Sequence, residues 1–230
     1  MLLQQPPVNP QHTQQDGAGV VLVLLLSPLI NLGINRALDH GWHQQSNPQV
    51  AVAPGHWLFG LATLLVAVIA AVLVLWLLQR QLRPGRRARR LLELLGAITT
   101  LQALLNGALV LIAISALQLG SVQLLLIGTG LYAVLNAIAL FWYWYLDHPG
   151  FGSGQGPSST REGVIVFPEG ERGGTLLDYI YFTVLSSNTL GPPENHQLHG
   201  AAGKVLQLLQ SSVMLGLLVI VVARAINTLG

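Results

Sequence analysis

Between Leu58 and Leu78 the chain runs for 21 residues without a charge and with a single hydroxyl, that of Thr63. At about 1.5 Å rise per residue, such a run crosses a hydrocarbon core of roughly 30 Å as one helix. Apolar runs of similar length fill most of the sequence between Gly17 and Gly230. The pattern predicts an all-α protein, a polytopic transmembrane helical bundle of about six spans. Charged residues make up 9% of the chain and apolar residues 52%, at a mean hydropathy of +0.57. A soluble domain carries about 25% charged residues, so this balance leaves little polar sequence for a second, aqueous domain.

The expected spans cover residues 18–38, 56–79, 91–117, 121–146, 175–191 and 202–228. The first is interrupted by Pro28, Asn31, Gly33 and Asn35, which predicts a kink. The fifth is short and crowded with Thr183, Ser186, Ser187, Asn188 and Thr189, so it either crosses the bilayer or re-enters it. Four regions follow. Residues 1–17 form a Gln- and Pro-rich flexible tail that lacks the positive n-region of a signal peptide, leaving the first span as an uncleaved anchor. Residues 18–146 form a four-span bundle. Residues 147–174 form a Gly/Ser/Pro-rich loop, and residues 175–230 a short polar span or pore-like segment with the last helix.

Orientation follows from one loop. Arg80, Arg83, Arg86, Arg87, Arg89 and Arg90 are six of the eleven basic residues, and the positive-inside rule puts them in the cytoplasm. Six crossings then place both termini in the cytoplasm. The 147–173 loop lies inside, and the 39–55 and 192–201 loops outside. The expected setting is a bacterial cytoplasmic membrane or another internal energy-transducing membrane. A stretch pinned between two membrane helices is unsuited to nucleic acid. It is suited to anionic lipid headgroups, at about 1 kcal/mol per basic residue near the surface. The aromatic run Phe141 to Tyr145 fits an interfacial belt.

Several chemistries are excluded. The chain has no cysteine, hence no disulfide, thiolate ligand or cysteine nucleophile. The glycines of the 147–174 loop lack the Lys-Ser/Thr end of a phosphate loop. Ser186 and Ser187 lack a nucleophile-elbow context. No charge falls in the middle of the second, third, fourth or sixth span, which argues against a proton-coupled carrier. The expectation is a non-enzymatic protein without a cofactor.

Polar residues inside the spans remain, and such residues are costly and often functional. Thr99, Gln102 and Asn106 share one helix face, as do Gly128, Tyr132 and Asn136. Gln207, Gln210 and Ser211 form a third stripe. Asp178 opens the fifth span, where a carboxylate suits a helix N-terminus. These stripes read as interhelical hydrogen bonds, with Gly128 allowing close approach, or as the lining of a polar pathway. His40, His43, His196 and His199, two i, i+3 pairs in loops placed on one side, form a candidate zinc or copper set.

Phe182 to Glu194 reads F-T-V-L-S-S-N-T-L-G-P-P-E, and this stretch resembles the pore helix and filter of the potassium-channel pore-loop family. The resemblance aligns Thr189, Leu190 and Gly191 with the first three filter positions, and the helix around Gly216 with the inner helix. It implies an ion pathway carried by Thr183, Ser187, Asn188, Thr189 and Gly191. Pro192 and Pro193 fall where the family has Tyr and its second Gly, and their fixed φ cannot turn consecutive carbonyls toward an ion. The same third of the chain is similar to an uncharacterised family of bacterial six-span membrane proteins. Asp178, Tyr179, Tyr181 and Thr183 carry that likeness with Ala223, Arg224, Ala225, Asn227 and Leu229, and more loosely Phe141, Trp142 and Asp147. It implies no activity. Three functions stay open: an ion-channel-like pathway, a non-catalytic subunit of a homo-oligomer or membrane complex, and a metal-binding protein using the loop histidines.

Overall fold

The first helix, α1 (Pro10–Gln45), starts on a proline, whose missing N–H costs nothing at a first helical position. The computed structural model describes residues 10–45, 86–116, 120–148, 163–168 and 174–229, with scattered helical residues between 61 and 75. The expected 56–79 span, Arg80 and Arg83 therefore lie largely or wholly outside the described residues. The tail expected up to residue 17 is corrected, since it is helical from Pro10 onward. The interruption expected at Pro28 leaves α1 a single helix.

The other elements are α2 (Arg86–Ala116), α3 (Ser121–Asp147), β1 (Ile165–Val166), α4 (Leu176–Thr189), β2 (Gln197–Leu198) and α5 (Gly200–Leu229). Among the described residues, four segments are long and apolar enough to cross a membrane: Gly17–Leu38, Arg89–Ala113, Val122–Asp147 and Gly200–Arg224. The chain thus has the helical make-up of a membrane protein. Its outward helix faces are apolar, with Leu22, Leu29, Leu125, Leu208 and Leu218 all exposed, while Asn31, Gln102 and Asn106 are buried. That inversion suits hydrocarbon as the surrounding solvent.

α3 is the central helix and touches α1, α2, α4 and α5. Its aromatic end forms the main core: Phe141, Tyr143 and Trp144 pack with Tyr179 and Phe182 of α4 and with Leu92 and Leu95 of α2. At Gly96 of α2 an added Cβ would overlap the Phe141 ring, so a side chain there would force the two helices apart. The expected close approach at Gly128 is present, because a Cβ there would sit 3.2 Å from Val221 of α5.

α4 has 14 residues, about 21 Å of helix, well short of the four long segments. Thr175 opens it with a reciprocal cap. The Thr175 amide donates to Asp178 Oδ2 at 2.7 Å, and the Asp178 amide donates to Thr175 Oγ1 at 3.4 Å. The helix stops at Leu190, which takes the left-handed conformation at φ 58°. The chain then returns, and β2 pairs antiparallel with β1 through Ile165↔Leu198 and Val166↔Gln197. The His199 amide extends the ladder to the Val164 carbonyl at 2.8 Å. The two loops that six crossings would hold on opposite faces, 147–173 and 192–201, therefore meet in one small sheet. A hydrogen-bonded ladder sets strands about 4.8 Å apart.

Candidate functional site

Helix periodicity sorts the side chains of α4 onto one inward face made of Tyr179, Phe182, Thr183, Ser186 and Ser187. Its first turns are aromatic and its last turns carry hydroxyls. Tyr143 of α3 meets Phe182 edge-on, with ring centroids 5.0 Å apart. Deeper along α3, the Tyr132 hydroxyl donates to Asn188 Oδ1 at 2.9 Å and lies 3.1 Å from Ser187 Oγ. α4 thus runs antiparallel to α3, from the Asp147 end down to the level of Tyr132.

Gln210 of α5 ties this face together. Its Oε1 accepts the Tyr143 hydroxyl at 3.0 Å, and its Nε2 donates to the Thr183 carbonyl at 3.0 Å and to Asn136 Oδ1 at 3.3 Å. Asn136 Nδ2 in turn donates to the Tyr132 carbonyl at 3.0 Å. Ser211 Oγ reaches the Ser186 carbonyl at 3.5 Å, the limit of a hydrogen bond. Three buried polar atoms here, Thr183 Oγ1, Ser186 Oγ and Gln207 Nε2, meet no hydrogen-bond partner among the described residues. A crevice of about 160 Å³ reaches Thr183 and Asn136 between α1, α3 and α4, with Val23, Ala137, Leu140 and Ile180 as its apolar wall.

The tip of α4 is open. Asn188 and Thr189 are exposed, and the Thr189 hydroxyl lies 2.8 Å from the Leu185 carbonyl and 2.9 Å from that of Gly191. One hydroxyl proton serves one of these oxygens at a time, so the tip presents more acceptors than donors. The last carbonyls of a helix also carry the negative end of its dipole. The position aligned with a filter glycine, Gly191, has open space around it, and the left-handed turn falls one residue earlier, on Leu190.

At the other end of α4, Asp147 holds the hairpin in place. Its Oδ1 accepts the Ile165 amide at 3.1 Å, and its Oδ2 accepts the Tyr179 hydroxyl. Nearby, Tyr145 donates to Glu93 and accepts from Arg89 Nε at 2.8 Å, with the Arg89 guanidinium 5.1 Å from the Tyr145 ring centre. The arginine-bearing start of α2 and the β1–β2 sheet therefore share one end of the bundle.

The expected site residues divide among several places. Thr183, Ser187, Asn188, Thr189, Tyr132, Asn136 and Gln210 come together, with Gln207 buried one turn before Gln210. Asp178 caps the far end of α4. Gln102 is buried on α2, and Asn106 belongs to a different contact, between α2 and α1, where its Nδ2 donates to the Asn31 carbonyl at 3.3 Å. Ser27, Asn31 and Asn35 of α1 are also buried. Their spacing of four was visible in sequence, but Asn31 and Asn35 read there only as interruptions and Ser27 was not singled out.

His196 is packed among Phe167, Tyr181 and Phe182, and its Nδ1 lies 3.0 Å from the Glu194 carbonyl. The side chains of His40 and His43 lie outside the described residues. Among the described residues, no group of three or more histidine or carboxylate side chains is placed to hold a metal. No protein-family model, curated protein or solved structure matches this chain.

Proposed function

We propose that the protein is a multi-pass membrane protein whose residues 175–199 re-enter the bundle and line a permeation path for monovalent cations. The observation that carries this reading is the β1–β2 ladder, which brings both ends of the α4 hairpin to one end of the bundle. A 14-residue helix whose tip stops at the level of Tyr132 supports a half-crossing. Tyr132 is 15 residues from Asp147 and 10 from Val122, so that level is near mid-membrane, within about 4 Å of the centre of Val122–Asp147. Irregular backbone at that depth survives only inside protein or beside water. The tip offers a cation the Leu185 and Gly191 carbonyls, the Thr189 hydroxyl and the negative end of a helix dipole.

Arg89 shares the end of the bundle with the hairpin, so the positive-inside rule makes that end cytoplasmic. α5 then leads away from it, with Gly203 against Val164 near the sheet and Val221 against Gly128 at the far end. α1 starts near the sheet, where Gly19 meets Leu176. The two ends of the bundle's chain fall on opposite faces, in place of two cytoplasmic termini. Pro192 and Pro193 cannot present a row of carbonyls, so the path discriminates poorly between Na⁺ and K⁺.

Two measurements test the reading. Single cysteines at Arg90, Pro168, Asn195 and Ile226, all exposed positions, are labelled with a membrane-impermeant thiol reagent. Arg90, Pro168 and Asn195 should react from one side and Ile226 from the other; Asn195 reacting opposite to Pro168 refutes re-entry. Purified protein in liposomes should then pass K⁺ and Na⁺ above the rate of empty vesicles, and Thr189→Val should lower that flux. Absence of flux, with labelling as expected, leaves the second reading, a non-catalytic packing subunit. The saturation of Gln210 by bonds within the chain favours that alternative.

A further inference from the structure

One buried face of α1, together with Asn106 of α2, holds polar atoms that meet no hydrogen-bonding group among the described residues. They are Ser27 Oγ, both side-chain polar atoms of Asn31 and of Asn35, and Asn106 Oδ1. Ser27, Asn31 and Asn106 are fully buried and Asn35 is 4% exposed. Ser27, Asn31 and Asn35 are four residues apart and so line one face of α1 over about 12 Å. Pro28, inside the helix, also withdraws the N–H that would bond the Leu24 carbonyl. Buried Leu24 and Leu38 close the face on either side.

The orphaned groups are of both kinds. Each asparagine amide nitrogen carries two donor hydrogens, and each amide oxygen is an acceptor. A bare cation satisfies only the oxygens, and an anion only the N–H groups. A guest that does both at once, and is small enough to fit between two packed helices, is water, which ordinarily makes two to four such bonds when buried. We propose that this polar face of α1 is a hydration site holding a short file of water along Ser27, Asn31 and Asn35, bridged at Asn31 to Asn106 of α2. This file is separate from the α3–α4–α5 site, and it does not depend on the permeation reading.

The structure supplies its own dry and wet standards. The backbone amide of Val110 lies within α2 on a buried residue of an apolar cluster. Asn195 is exposed in the turn before β2. Uniformly labelled wild-type protein in lipid bilayers is examined by water-edited solid-state NMR, with side-chain amides assigned through their backbones. The amides of Asn31, Asn35 and Asn106 should build up water magnetisation several-fold faster than the Val110 amide, approaching Asn195. Rates equal to that of Val110 overturn the proposal. The measurement is repeated with K⁺ replaced by a bulky organic cation. Unchanged Asn31 and Asn35 shifts support water as the guest, whereas a shift at those amides assigns the site to a cation and overturns the proposal.

Discussion

The Tyr179 hydroxyl donates to the Asp147 carboxylate, tying the first turns of α4 to the last residue of α3. The same carboxylate accepts the Ile165 amide, so one side chain positions the helix and the strand that bracket the hairpin. Tyr179→Phe keeps the ring among Phe167 and His148 and removes the hydroxyl that makes that bond. A hydrogen bond to a charged group contributes about 1.5–3 kcal/mol, so thermal unfolding should show a loss of that order. Asp147→Ala should cost more, since it also releases Ile165. The double variant should fall short of the sum, because the two residues act in one network.

Gly96→Ala should destabilise the protein by about 1–3 kcal/mol, the usual cost of forcing extra volume into a packed contact. The new methyl meets the Phe141 ring, which is fully buried and has no room to yield. Gly216→Ala is the internal control. Nothing lies within 4 Å of a Cβ at that position, and alanine exceeds glycine in helix propensity by about 1 kcal/mol. Denaturation in detergent should therefore move in opposite directions for the two variants.

Gln210→Met, close in volume but unable to hydrogen-bond, should lower stability by about 2–4 kcal/mol. It strands the Tyr143 hydroxyl and Asn136 Oδ1 in the interior, at about 1–3 kcal/mol for each unmet group. Ser211→Ala, one residue along, loses only a 3.5 Å contact and should change stability by less than about 0.5 kcal/mol. Comparable losses in the two variants would show that Gln210 does not act through these bonds.

Leu190→Gly should stabilise the protein by about 1 kcal/mol, because leucine at φ 58° bears a strain that glycine lacks. Its side chain is 53% exposed, so little packing is lost. If the left-handed turn at Leu190 sets the tip of the permeation path, this variant should keep the cation flux of the wild type. Leu190→Pro cannot adopt a positive φ and should abolish that flux.

The helical elements were legible because their signal is local. The α3 and α5 spans expected at 121–146 and 202–228 appear as Ser121–Asp147 and Gly200–Leu229. The polar stripes were legible for the same reason: Tyr132 and Asn136, or Gln207 and Gln210, share faces by helical arithmetic alone. Their partners were not. Nothing in its spacing separates Asn106 from Asn136 and Gln210, yet Asn106 meets α1 while Asn136 and Gln210 meet each other across α3 and α5. The Asp147 link was hidden too, since it joins residues 32 apart across a loop.

Charge distribution and apolar run length determined a helical membrane protein with a basic end, because the transfer of each side chain to hydrocarbon depends on its own chemistry. That the segments on either side of α4 pair in a two-residue ladder, Ile165–Val166 with Gln197–Leu198, was not legible in the sequence. Backbone pairing over thirty positions carries no local mark in sequence. It exists only once Asp147, Tyr179 and the aromatic end of α3 have brought the two segments together, and that was the decision of the tertiary structure.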